Sequence, residues 1–148
     1  MAHKFRINAI RQIEAHFAVN PQYTAEEDKP IEISHSIEIM HQLDDSDLHV
    51  LVSLTSDSEK QPFRFAVRWD GVFHFDKVPR KDDAERFANI NCAAILFPYI
   101  RESVADLIRR AGMPPLHVPP VNFVAMFEAR QKTNVPKKIS KTSKTAKL

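Results

Sequence analysis

Residues 89–127 read NINCAAILFPYIRESVADLIRRAGMPPLHVPPVNFVAMF, and this stretch decides the fold. Together with Phe87 just before it, Ile90, Ala94, Phe97, Ile100, Val104, Leu107, Ile108 and Ala111 follow steps of three and four residues, the spacing of one helix face. Asp82, Asp83 and Glu85 upstream suit a helix start, and Arg109 and Arg110 suit a helix end, because the helix dipole favours acids first and bases last. Pro98 removes a backbone donor and crowds the preceding turn. A short helix before it and a main helix over 97–111 are therefore expected. Gly112 is a natural C-cap, with Pro114 beyond it. Residues 114–120 are expected to be extended. Asn122 then caps a second helix over 123–132.

Upstream the period is two. Phe5, Ile7 and Ala9, then Ile13, Ala15, Phe17 and Val19, predict a long strand with one buried face, stopped by Asn20-Pro21. Residues 22–29 are polar and read as a loop. Ile31, Ile33, Ile37 and Ile39 alternate with Glu32, Ser34, Ser36 and Glu38, the cleanest strand signal in the chain. Asp44-Asp45-Ser46-Asp47 makes a turn. Leu48, Val50, Val52 and Leu54 mark a third strand, and residues 57–60 the next turn. Phe63, Phe65, Val67 and Trp69 mark a fourth. Asp70-Gly71 then carries the local chemistry of a two-residue hairpin. Four sequential strands followed by two helices predict an α+β fold, a four-stranded antiparallel sheet with a long helix and a shorter C-terminal helix on one face.

The 148 residues suit one domain. The expected boundaries are 1–132 for the folded domain and 133–148 for a disordered Lys-rich tail, since almost nothing after residue 133 is apolar. The overall charge of +2 hides an uneven split. Of the 21 cations, 14 precede residue 130 together with all 19 acids, a balance of −5 for the body. With two glycines there is no Gly-rich phosphate loop. The single cysteine, Cys92, excludes an internal disulfide and reads as a small buried residue. His3, His16, His35, His41, His49, His74 and His117 form no HExxH pair, and no GxSxG elbow occurs. The reading is no enzyme, no metal site and no cofactor. No apolar run spans a bilayer and the N-terminal residues lack a signal-peptide core, which predicts a cytoplasmic protein.

Leu96-Phe97-Pro98-Tyr99, Arg101-Glu102, Gly112, Pro115-Leu116, Pro120-Val121-Asn122-Phe123 and Met126-Phe127 occur in an order and spacing that resemble the SecB family of protein-export chaperones. The resemblance implies an ATP-independent chaperone that holds unfolded or precursor polypeptides in apolar grooves and keeps them export-competent for the Sec translocase. It also implies a homotetramer built as a dimer of dimers. At Asp70-Gly71 it implies a kink in or beside one long strand, in place of the hairpin. Flexible methionines and large aromatics suit a groove that takes many sequences. The client-groove candidates are Tyr23, Ile31, Ile33, Phe97, Tyr99, Met113, Leu116, Phe123, Met126 and Phe127. Tyr23 stands alone as an aromatic in the loop where the family carries a tryptophan near Pro30. The bland alternative is that these residues pack the second helix onto the sheet.

Apolar residues on both the fourth strand and the main helix exceed what one sheet and two helices are expected to cover. Phe65, Val67, Trp69, Ile100, Val104, Leu107 and Ile108 are thus the candidate oligomer interface. The resemblance further implies docking to the SecA motor through acids on the outer sheet face. Of the matching positions, Glu14 keeps an acid, whereas Ala18, Arg64 and Ala66 do not, so SecA is expected to bind weakly. Two alternatives follow. One is a dedicated SecB-like chaperone of a single partner, such as the antitoxin of a toxin–antitoxin pair. The other, of a different class, is a nucleic-acid-associated protein using the basic tail.

Overall fold

The computed structural model describes residues 4–25, 30–133 and 139–147. Strands β1 (Phe5–Val19), β2 (Glu32–Asp44), β3 (Asp47–Ser56) and β4 (Phe63–Phe75) precede helix α1 (Lys81–Phe87), a π-turn (Ala88–Cys92), helices α2 (Ala93–Arg110) and α3 (Phe123–Lys132), and strand β5 (Ile139–Lys147). The sheet is antiparallel in the order β1-β4-β3-β2-β5. The four strands read from the two-residue alternation are present, and both helices lie where the period changes.

One sheet face is closed by the helices. Ile33, Ile37 and Ile39 of β2, Leu48, Val50, Val52 and Leu54 of β3, and Phe63, Phe65, Val67, Phe73 and Phe75 of β4 are buried with Leu96, Phe97, Ile100, Val104 and Ile108 of α2. β2 and β3 join through Asp45-Ser46, with Asp45 at φ 53°, a left-handed conformation that Asp tolerates better than most residues. Gln61 is buried in the next turn. Its Nε2 donates to Ser56 Oγ (2.6 Å) and to the Phe63 carbonyl (2.7 Å), and its Oε1 accepts from the Ser34 N–H (3.2 Å). The turn is thereby tied to the start of β2.

β4 runs unbroken through Asp70-Gly71, whose β3 partners are Leu51 and Val50. The hairpin signal is overridden because β4 is flanked on both sides, by β1 and by β3. β4 is the one long strand that the resemblance implied, and no register shift falls at Gly71. A Cβ there would lie 2.8 Å from the Phe73 ring and 3.2 Å from Leu96 Cδ2, so glycine supplies room for α2 to settle on the sheet. The register shifts fall on β1, at Asn8 and Ile13, which have no direct partner on β4. Each is an extra residue of the bulge type, and each resets the alternation phase of β1.

Two further expectations change. The helix break lies at Ala88–Cys92, upstream of Pro98, and Pro98 sits within α2. Ala93 N–H reaches the Ala88 carbonyl five residues back, and the buried Asn89 side chain donates to the Glu85 carbonyl at 2.8 Å. The widened turn thus comes just before the proline, as one-turn π-bulges do where a regular ladder is under strain. The tail is the second difference. Ile139–Lys147 is a strand paired with β2, where composition predicted disorder for 133–148; residues 134–138 and 148 lie outside the described residues. An edge strand needs backbone partners more than apolar side chains, so its composition did not disclose it.

Candidate functional site

The connection from α2 to α3 is built from strong local signals. Gly112, at φ 77°, ends α2: its N–H donates to the Arg109 carbonyl (2.9 Å) and the Met113 N–H to the Ile108 carbonyl (3.3 Å), a C-cap only glycine adopts at low cost. Leu116 and Val118 of the proline bridge are buried. Asn122 Oδ1 accepts from the Ala125 N–H at 3.0 Å and starts α3, as its position predicted.

α3 packs against the π-turn and β5. Its Phe123 ring meets Phe97 edge-on at 5.6 Å. Phe127 lies under two guanidinium groups, Arg86 at 5.8 Å and Arg130 at 5.4 Å, a cation–π arrangement. Arg130 pairs with Glu85 at 3.4 Å. Nearby His41 is held below the usual imidazole range by burial, with Glu85 opposing that shift. The result is a seam where α3 lies over the π-turn, which in turn lies on β2.

The groove candidates divide across this seam. Ile33, Phe97, Leu116, Phe123 and Phe127 are buried, and Ile31, Met113 and Met126 are half-buried against the same core, while Tyr23 is half-buried in the loop after β1, where its N–H donates to the Asn20 carbonyl at 3.3 Å. Tyr99 is not brought there. It lies half a helix turn from Phe97, 40% exposed, with its ring 4.9 Å from Trp69. Ser103 Oγ accepts from Trp69 Nε1 at 2.9 Å and lies 3.1 Å from Gln12 Oε1, which ties this aromatic pair to β1.

The oligomer-interface candidates lie mostly inside the protomer. Phe65, Val67, Ile100, Val104 and Ile108 are buried within the protomer, and Trp69 and Leu107 partly so. The helix and the fourth strand cover one another, so their apolar faces are already used. Of the exposed large apolar side chains among the described residues, Met40, Val78, Tyr99 and Val124 are scattered, whereas Phe5, Ile7, Ile13 and Val19, 37–49% exposed, share the edge strand β1. The β1 alternation was legible, but its two bulges and edge position were not.

On the outer sheet face, Glu14 pairs with Arg68 at 3.6 Å and Asp70 with Arg11 at 3.0 Å. Ala18 faces Arg64 across the strands, and Ala66 faces His16. Each carboxylate of this β1–β4 patch is thus compensated by an arginine. His74 Nδ1 lies 2.7 Å from Asp47 and His49 Nε2 3.8 Å from Asp44. Burial pushes the Cys92 thiol up, away from the reactive thiolate. No helix among the described residues is long and apolar enough to cross a membrane.

Comparison with known proteins gives one answer. The family described as preprotein translocase subunit SecB matches residues 4–134. A protein-export protein SecB of Neisseria meningitidis serogroup A is 36% identical over 85 residues, 57% of this chain and 57% of that one. The match thus spans little more than half the length of that relative. The Methylocella silvestris protein of the same name is 29% identical over 132 residues, 84% of this chain and 81% of the relative. Among solved structures, a SecB-like chaperone of Mycobacterium tuberculosis in complex with a peptide from the HigA1 antitoxin superposes with a TM-score of 0.66. It is 21% identical, and the match covers 79% of this chain and 90% of that one.

Proposed function

The chain belongs to the SecB family, and from that premise we propose that it is an ATP-independent chaperone that holds unfolded precursor polypeptides for the Sec translocase. It acts in the cytoplasm as a dimer of dimers, without catalysis and without a cofactor. What supports this reading is the packing of family-motif residues of α3 on the helix layer, Phe123 on Phe97 and Phe127 beneath Arg86 and Arg130, with Leu116 buried and Met113 and Met126 half-buried. An extended client segment enters there by displacing or lifting the roof of proline bridge and α3. Met and Phe side chains adapt to many apolar sequences, so the seam selects for unfolded chain and not for one motif.

A second reading, a chaperone dedicated to one partner such as an antitoxin, is favoured by the outer face. Pairing of Glu14 with Arg68 and of Asp70 with Arg11 leaves little free negative charge to attract a basic segment of SecA. Light scattering of chemically unfolded clients tests both. The general chaperone is expected to suppress aggregation of several unrelated clients at sub-stoichiometric tetramer with no nucleotide present. Protection of a single partner, with the others aggregating freely, would select the dedicated reading. Suppression that requires ATP, or none at all, would overturn both.

A further inference from the structure

The two edges of the sheet are treated differently. β1 is the last strand on its side, whereas the β2 edge is taken by Ile139–Lys147, which runs antiparallel along Glu32–Met40. The strand laid there reads ISKTSKTAK. With one isoleucine and one alanine in nine residues, the sequence offers little apolar area, and what the structure describes is the backbone ladder to β2. The register nevertheless matches charge. Lys141 is placed opposite Glu38 and Lys147 opposite Glu32, with Ser143 and Thr145 opposite Ser36 and Ser34 between them. In the other phase Ser140, Thr142, Lys144 and Ala146 stand opposite Ile39, Ile37, His35 and Ile33, all buried positions of β2. α3 packs against β5, so this strand lies at the mouth of the seam.

We propose that β5 is a displaceable internal strand, occupying in cis the edge on which the protein takes an extended client segment by strand addition. The proposal rests on the chaperone reading above and specifies the entry edge and its regulation. The occupant that fits is an extended polypeptide with basic residues six positions apart, opposite Glu32 and Glu38, and apolar residues in the alternate phase. There β5 offers mostly Ser, Thr and Lys. A client with apolar residues at those positions keeps the backbone ladder and adds burial against the seam, so it outcompetes β5. The short connection from α3 keeps the local concentration of β5 high, so the edge is usually filled and client affinity is lowered in proportion. With no client present, the Lys-rich strand also blunts an edge that would otherwise pair with other chains.

The test compares the full chain with one ending at Thr133, and with a full-length Glu38→Lys variant that keeps the tail but opposes its register. The probes are a fluorescent peptide of sequence ISKTSKTAK, the same peptide with its first and last lysines replaced by glutamate, and a chemically unfolded client. The shortened chain is expected to bind the lysine peptide and the unfolded client at least about tenfold more tightly than the full chain, the factor for an edge filled nine-tenths of the time. The glutamate peptide is expected to bind markedly more weakly. Glu38→Lys, which opposes β5 and any client lysine at that position alike, is expected to weaken binding of the lysine peptide while raising affinity for an unfolded client that presents no basic residue there. Equal client affinity for all three chains, or indifference of the shortened chain to the peptide's charge, would overturn the proposal. If truncation changes nothing while both chains suppress aggregation, the chaperone reading stands and this proposal falls. If no chain suppresses aggregation but the shortened chain still binds the lysine peptide, the strand-accepting edge stands and the chaperone reading falls.

Discussion

Val67→Asp is expected to unfold the protomer instead of releasing it from an assembly. Val67 is fully buried at the centre of β4, with Ala15 and Leu54 as its cross-strand partners, and α2 covers that face. A carboxylate placed there has no partner and no water, so it must either stay protonated or open the core. Buried-charge substitutions of this kind cost about 4–5 kcal/mol or more, against a total stability of about 5–15 kcal/mol for a domain. Urea unfolding followed by circular dichroism is expected to show that loss, or the variant will be recovered only as aggregate. Val67→Ala, which leaves only a small cavity, is expected to fold at a cost of roughly 2 kcal/mol. A soluble, fully folded Val67→Asp protein of lower mass would show that this side chain meets a partner and not the core.

The second large effect is expected on β1. A 15-residue edge strand with Phe5, Ile7, Ile13 and Val19 exposed is the kind of surface that monomers avoid and assemblies use. Ile7 and Ile13 each keep nearly half of their surface in water. Covering the remainder is worth about 1 kcal/mol per side chain, or about 4 kcal/mol for two residues on each side of a two-fold interface. Light scattering is expected to report a tetramer for the wild type. The Ile7→Asp, Ile13→Asp double variant is expected to give a smaller, folded species, with association weakened by roughly a thousandfold. A wild-type monomer at micromolar concentration, or an unchanged mass for the double variant, would contradict this assignment.

These two predictions turn on what the chain disclosed in advance. The four strands were legible because a half-buried strand writes its burial into a two-residue period, and α3 because Asn122 and Gly112 are local signals with local causes. The allocation of apolar faces was not legible. Val67 and Ile100 look alike as interface or core until the position of α2 on the sheet is known. Gly71 misled for a related reason: a hairpin and a close helix–strand approach both call for glycine, and the choice between them is made by Leu96 and Phe73. β5 could not be read at all, since ISKTSKTAK has the composition of a solvated tail and gains its place from the unpaired backbone of β2. Of the groove candidates, Tyr99 lies apart from Phe97, against Trp69, because a helix turns residues 97 and 99 to different sides although the LFPY motif reads as one block.

The most direct measurement of the central claim is methyl NMR of the labelled protein as a chemically unfolded client is added without nucleotide. Met113 and Met126 lie at the seam and Leu116 within it, whereas Ile13 and Leu51 belong to the opposite side of the sheet. The methyl signals of Met113, Leu116 and Met126 are expected to shift or broaden in proportion to client bound, with those of Ile13 and Leu51 unmoved. Client binding that leaves the three seam methyls unchanged and shifts Ile13 and Leu51 would contradict the account.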